Sequence, residues 1–287
     1  MSVSRTLRDW GLLGALVLLQ ICYPLTSGDV RAGCTVATVV LGYVLSVAHA
    51  FTTRGVRAAG ALIATATLGG FAVEAIGVAT GFPFGTYDYS GQLGPKLLGV
   101  PLIIPLAWTW MAWPAWLAAL RLARGTPARI VLAALGLAAW DLFLDPQMVA
   151  EGYWTWHSPT PALPGVPGIP IGNYAGWLGF ALLLMTALRF AVGTFVPADG
   201  RDAPMLALWF WTYASSVLAH AVFLGLPWSA LWGGVLMGAI VLPLAVRSAQ
   251  AAFPTWLPRS TTPRPVSSTD RPDSATDQPD SPPRRRR

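Results

Sequence analysis

The sequence has little charge and very few cysteines or histidines. Asp, Glu, Lys and Arg make up only 11% of its 287 residues, whereas about a quarter of a soluble domain is charged. Two cysteines and three histidines form no zinc-type motif. The formal net charge of +6 includes four arginines at residues 284–287, so it does not indicate a nucleic-acid partner. With 54% hydrophobic residues, the composition predicts an integral membrane protein whose partner is the lipid bilayer.

Apolar runs long enough to cross a bilayer follow one another along most of the chain. A crossing takes about 20 residues, and eight runs are of that order. They lie near residues 10–26, 32–51, 58–80, 98–120, 128–147, 174–196, 204–223 and 227–246. We therefore predict an all-α polytopic transmembrane helix bundle of about eight helices.

Basic residues are confined almost entirely to alternate loops. Those on one side are Arg5, Arg8, Arg54, Arg57, Arg121, Arg124, Arg129, Arg189, Arg201 and Arg247. The other side carries Arg31 and Lys96. Because basic loops stay in the cytoplasm, both termini are predicted to be cytoplasmic. The basic start is similar to that of a signal peptide, but no small-residue cleavage site follows, so we expect an uncleaved first helix.

The composition changes near residue 250. Residues 1–250 form the predicted membrane domain, and residues 251–287 are rich in Pro, Ser and Thr with a basic end. Such a segment cannot bury enough apolar surface to fold, so we expect a disordered cytoplasmic tail. Cys22 and Cys34 flank the first loop. They are either bridged, which requires an oxidising compartment, or serve as two small buried hydrophobes.

Carboxylates stand near the end of the fifth run. Asp141 and Asp145 share one helix face, and charges inside hydrocarbon persist mainly where they line a cavity, pair or do chemistry. The alternative is a polar helix terminus at the water interface, since Pro146 would end the helix. The third, fifth and seventh runs cross in the same direction, so Glu74 and His220 lie at a similar depth to the aspartates. This convergence predicts a functional site in the outer half of the bilayer.

Two long outer loops, residues 81–96 and 146–173, adjoin this layer. Their content of Gly, Pro, Tyr and Trp favours ordered aromatic lids. Their aromatic residues include Tyr87, Tyr89, Trp154 and Trp156, and Trp140 directly precedes Asp141. Aromatic faces stabilise cations and bind flat polyenes, although ordinary packing also explains a single tryptophan. Trp177 is expected in a membrane-interface belt, and His49, at the opposite end, at the other interface.

Four segments carry a resemblance to a known family. EAIGVATGFPFGTYDYS, GVPLIIPLAW, WDLFLDPQMVAEGYWTW and GIPIGNYAGW resemble motifs of the carotenoid-biosynthesis membrane proteins. That family includes the CruF-type carotenoid 1,2-hydratases and the bisanhydrobacterioruberin hydratases. The similarity covers roughly residues 30–245. It implies a multi-pass protein of the cell membrane, without a redox cofactor, that hydrates the terminal double bond of an acyclic carotenoid. Other membrane enzymes of the carotenoid pathway are then candidate partners.

The implied chemistry suits the residues. Hydration of a trisubstituted alkene begins with protonation and leaves a tertiary cation that water captures. It requires a carboxyl group that stays protonated near neutral pH, and burial beside a second carboxylate favours that form. Asp141, Asp145 and Glu74 are the expected catalytic set. The expected substrate-binding residues, with Asn173 helping to hold water, are Tyr87, Tyr89, Trp140, Trp154, Trp156, Asn173 and His220.

Three alternatives remain open. A membrane prenyltransferase would use Asp141 and Asp145 to hold Mg²⁺ and diphosphate, although few basic residues lie on that side. A lycopene cyclase would also protonate an end group but would close a ring and exclude water. A small transporter would use the carboxylates as a proton relay, although no paired broken helices indicate one.

The topology predicts the outcome of reporter fusions. A reporter that works only in the cytoplasm should be active when it is fused in the loop near Arg124, because the basic loops are retained inside. A reporter that works only outside should be active when it is fused near Trp154. Activity in the reverse compartments would contradict the predicted orientation.

Overall fold

The computed structural model describes residues 3–196 and 200–252, which form a bundle of eight long helices. The predicted all-α class and the number of helices are confirmed. In chain order, the helices are α1 Val3–Cys22, α2 Gly28–Arg54, α3 Val56–Thr80, α4 Ile104–Leu122, α5 Thr126–Ala150, α6 Ile171–Val192, α7 Ala203–Phe223 and α8 Pro227–Ala252. Helix α3 contains a π-helical segment, Ile63–Leu68, and α7 ends in another, Ala219–Phe223. From residue 253 onward, the predicted tail lies outside the described residues.

Helix α4 is the centre of the bundle. Sixteen of its 19 residues are buried, and it packs against α2, α3, α5 and α7. A helix that is apolar on every side belongs in an interior. Six of the eight helices are long and apolar enough to cross a membrane on length and composition alone. The two exceptions are α1, which begins with charged residues, and α4, which is rich in tryptophan.

Three prolines lie inside the described helices without ending them, and one of them is Pro243 in α8. Pro114 lies within α4 and Pro146 within α5, which continues to Ala150, so the prediction that Pro146 ends its helix was wrong. Each proline lacks an N–H and leaves the carbonyl four residues earlier without its helical donor. At Pro114 and Pro146, a serine hydroxyl from a neighbouring helix replaces that donor.

The two serine contacts are direct. Ser46 of α2 donates to the carbonyl oxygen of Trp110 at 3.0 Å, and Ser229 of α8 donates to that of Leu142 at 2.6 Å. Both serines are buried. Neighbouring helices are therefore joined at the carbonyls that Pro114 and Pro146 leave without a helical donor.

The two long loops form an ordered aromatic cap, as predicted. Strand β1, Tyr87–Tyr89, pairs antiparallel with β4, Trp154–Trp156. We call this β1–β4 pair the roof. Each loop also contains an antiparallel strand pair of its own. In the first loop, β2 Lys96–Leu97 pairs with β3 Val100–Pro101. In the second loop, β5 Ala162–Leu163 pairs with β6 Val166–Pro170.

The opposite end of the bundle is held by a buried ion cluster. Asp202 is 1% exposed, and its carboxylate accepts hydrogen bonds from Arg54 at 2.9 Å and Arg121 at 3.2 Å. Burial opposes ionisation of Asp202, but the two arginines and His49 outweigh it and lower the pKa of the carboxyl group. His49, which was expected at the membrane interface, lies beside this cluster, with its Nε2 3.9 Å from Asp202 Oδ1. It is fully buried and accepts a hydrogen bond from Trp113 Nε1 at 3.0 Å.

The cysteines are not bridged. Cys22 and Cys34 are both free, and Cys22 is exposed, so describing the two as small buried hydrophobes was wrong for Cys22.

The proline–serine pairs predict a specific loss of stability. Ser46→Ala should lower the free energy of unfolding by about 1–3 kcal/mol, because it leaves the buried Trp110 carbonyl without a donor. A denaturation titration in detergent micelles measures this difference. The matched control is Ser248→Ala, since Ser248 only donates to Leu244 within its own helix and should cost little.

A double variant isolates the cause. Pro114→Ala restores the N–H that α4 lacks, so Ser46→Ala should cost clearly less in that background. Equal costs in the two backgrounds would show that Ser46 stabilises the bundle by packing and not by replacing the missing donor.

Candidate functional site

A cavity of about 140 Å³ lies between the roof and the helices. Its wall is mostly aromatic and aliphatic, with a few polar groups. Glu74, Asp145 and Asn173 lie in this wall, and so do the roof residues Tyr87 and Trp154. The structure therefore brings carboxyl groups from two helices and residues of both long loops to one cavity.

Glu74 is a buried carboxyl group surrounded by hydrogen-bond donors. Its Oε2 accepts from the hydroxyls of Tyr87 at 2.6 Å and Tyr89 at 2.7 Å, and its Oε1 accepts from Trp108 Nε1 at 3.0 Å. Both tyrosines point the same way because they are two residues apart on β1. Burial and the adjacent Glu74 raise the pKa of both tyrosines, so they remain donors. Three donors on two oxygens suit the ionised form of Glu74.

Gly77 makes the contact with Tyr87 possible. A Cβ atom at this position would lie 2.8 Å from the Tyr87 hydroxyl oxygen and 3.0 Å from the ring of Phe84. Gly77 lies nearly one turn after Glu74 on α3, so the bare backbone there leaves the space in which the tyrosine reaches the carboxylate.

Asp141 and Asp145 are joined through one amide. Asn173 of α6 donates from Nδ2 to Asp141 Oδ2 at 2.9 Å and also to Asp145 Oδ2. Trp154 Nε1 of the roof donates to the other oxygen of Asp145 at 3.2 Å. Asp145 is in the cavity wall, whereas Asp141 is buried outside the wall. Two aspartates on one helix face thus have different access to a ligand.

The other predicted site residues divide into two groups. Trp140, Tyr89 and Trp156 are part of the cavity wall, and Trp156 Nε1 donates to the Phe84 carbonyl at 3.0 Å, which ties the two outer loops together. His220 is not in the wall. Its ring nitrogens contact Ser229 at 2.8 Å and Gln147 at 3.1 Å. Of these two residues, Gln147 is part of the cavity wall.

Several wall residues were not predicted from the sequence. Trp177 was expected in a membrane-interface belt, and that was wrong, because it is buried in the cavity wall. Its indole stacks on that of Trp108, with ring centroids 3.7 Å apart. The spacing of four from Asn173 to Trp177 places both on one face of α6, which was the available signal. Gln147 and Thr212 also belong to the wall.

Comparison with known proteins identifies relatives. A family model described as carotenoid biosynthesis protein matches residues 34–240. A bisanhydrobacterioruberin hydratase of Haloarcula japonica is 37% identical over 127 residues, which cover 42% of this chain and 42% of that protein. The match thus spans less than half of the relative's length. No solved structure matches the chain.

The geometry around Glu74 predicts the effect of a single methyl group. Gly77→Ala should lower the free energy of unfolding by about 1–3 kcal/mol, because the new Cβ overpacks the site and displaces the Tyr87 hydroxyl from Glu74. Gly60→Ala is the control on the same helix, since no atom lies within 4 Å of its Cβ position. The cost of Gly77→Ala should shrink in a Tyr87→Phe background. An undiminished cost there would contradict the stated contact.

Proposed function

Because this chain belongs to the carotenoid biosynthesis protein family, we propose that it is an enzyme that adds water to the terminal double bond of an acyclic carotenoid. The observation that carries this proposal is the pairing of buried carboxyl groups, Glu74 and Asp145, with an aromatic, mostly apolar cavity inside a membrane bundle. The hydratase name of the Haloarcula relative supports the reaction class. The proposed enzyme is of the hydro-lyase type and lies in the cell membrane.

The cavity wall suits a polyene end. Trp108 and Trp177 present a stacked pair of indoles, and Trp140 lies edge-on to Trp177 with centroids 6.2 Å apart. Flat conjugated chains bind such faces by dispersion, and the rings' negative quadrupole stabilises a cation formed beside them. In this arrangement, the polyene lies along the apolar bundle with its end group under the roof.

The carboxyl groups have environments that favour different roles. Glu74 accepts three hydrogen bonds, an arrangement that stabilises an anion. Asp141 and Asp145 lie one turn apart in an apolar interior, where two neighbouring negative charges repel, so the pair holds one proton. Asp145 delivers it, because Asp145 is in the cavity wall. Asp141 acts through Asp145 and is a positioning residue.

The reaction then balances without an oxidant or reductant. The carboxyl O–H of Asp145 gives its proton to the less substituted alkene carbon, whose π electrons form the new C–H bond. The tertiary carbon becomes a cation, and a water oxygen forms the C–O bond. The proton lost by that water returns to the carboxylate pair. Glu74, as the anion, stabilises the cation while it exists.

Variants of the carboxyl groups test the proposal. Asp145→Asn preserves shape but removes the acid, so hydration should fall by about 10²–10⁴-fold, the usual contribution of general acid catalysis. Asp141→Asn and Glu74→Gln should also lose activity. The assay is expression in a lycopene-producing host, with a mass gain of one water per hydrated end group. The control is Asp88→Asn, because Asp88 is an exposed carboxylate on the roof.

The same assay separates the alternatives. Full activity in Asp145→Asn would overturn the assignment of Asp145 as the acid, and full activity in all three carboxyl variants would overturn the role of the carboxyl groups. A product of unchanged mass with a closed ring would indicate a cyclase, and a Mg²⁺-dependent gain of an isoprenoid unit would indicate a prenyltransferase.

A further inference from the structure

Part of the cavity wall is unusually polar for a site that accepts a hydrocarbon. Helices α2 and α7 contribute hydroxyl groups there, on residues spaced three or four apart. These are Thr35, Thr38, Thr212, Ser215 and Ser216. We call this set the hydroxyl wall. The carboxyl groups come from α3 and α5, so the hydroxyl wall is a separate part of the same cavity.

Two residues of the cavity wall each have a buried polar atom with no hydrogen-bond partner among the described residues. Thr212 is 1% exposed and Trp110 is 3% exposed, and both belong to the cavity wall. Thr212 Oγ1 and Trp110 Nε1 are both unpaired. By contrast, Trp108, Trp154 and Trp156 each donate their indole N–H to an oxygen. Buried polar atoms are normally paired with protein or ordered water.

The missing partner must carry an oxygen. An indole N–H only donates, so Trp110 needs an acceptor, whereas a hydroxyl both donates and accepts. A hydrocarbon end group supplies no acceptor. Water supplies acceptor and donor sites together, and it is also the second reactant of the proposed hydration.

We propose that Trp110, Thr212 and the hydroxyl wall bind the water molecule that adds to the cation, an inference that rests on the proposed function. The water accepts from Trp110 Nε1–H, donates to Thr212 Oγ1 and presents a lone pair to the tertiary carbon. That lone pair forms the C–O bond, and the released proton goes to the carboxylate left by the acid. Acid and water are thus held by different helices of the same cavity.

The position of the water decides the fate of the cation. Where bound water is present, the cation is captured and the product gains one water. Where it is absent, the cation loses a proton from an adjacent carbon and returns to an alkene. In D₂O, that return leaves deuterium in carotenoid that has not been hydrated, so the two fates give separate mass signals.

The experiment compares Thr212→Val with the wild type in membranes suspended in D₂O with unlabelled lycopene added. Valine keeps the shape and removes the hydroxyl. Hydrated product should fall about tenfold or more, as expected for the loss of one hydrogen bond to a reacting group. The deuterium content of the recovered, unhydrated lycopene should equal or exceed that of the wild type, because the cation still forms but returns to an alkene. Thr212→Ser keeps the hydroxyl and should recover most of the hydration.

A matched control and two contrary outcomes complete the test. Thr186→Val removes a helical threonine hydroxyl that donates only to Leu182 in its own helix, and it should leave both signals unchanged. Unchanged hydration in Thr212→Val would overturn the water site. A parallel loss of hydration and of deuterium exchange would also overturn it, since that is the result of a general structural defect. A wild type that yields neither hydrated product nor deuterated lycopene would instead refute the proposed function itself.

Discussion

A polar group inside a hydrocarbon environment must find a partner within the protein, and this requirement shapes the whole bundle. It accounts for the serines that serve the carbonyls freed by Pro114 and Pro146. It also accounts for the amide of Asn173 between two aspartates and for the donors around Glu74. Each of these contacts joins two different elements of the fold. The polar groups therefore determine which helices are neighbours, while the apolar surface only determines that helices associate.

The site is assembled from the helices and the roof, and each supplies different groups. The helices supply the carboxyl groups, and the roof supplies their donors and closes the cavity. Because β1 alternates its side chains, Tyr87 and Tyr89 can both reach Glu74 while Asp88 stays exposed. Because Trp154 contacts Asp145, the same sheet bonds to both carboxyl groups. A displacement of the roof would therefore change the surroundings of Glu74 and Asp145 together.

The sequence predicted the class and the helix number, since these follow from the length of the apolar runs alone. It did not show which side of a uniformly apolar helix faces the interior. Asp141 and Asp145 share a helix face, yet only Asp145 is in the cavity wall, and that difference depends on α6 and the roof. Trp177 was misplaced for the same reason, because neither the position of a residue in a helix nor its type shows which residues it will contact. Pro146 was misjudged because Ser229, 83 residues later in the chain, supplies the missing donor.

The tryptophan-rich centre has a consequence for how the protein is made. Helix α4 is shielded on nearly every side, so it needs no lipid-soluble surface, and it is one of the two helices that fall short of the composition of an independent span. During synthesis, α4 leaves the ribosome before α5 and α7, two of the helices that cover it. The helices that cover α4 are therefore complete only after these later segments have been translated. Substitutions in α5 or α7 that leave the site intact can then still reduce the amount of protein that reaches the membrane.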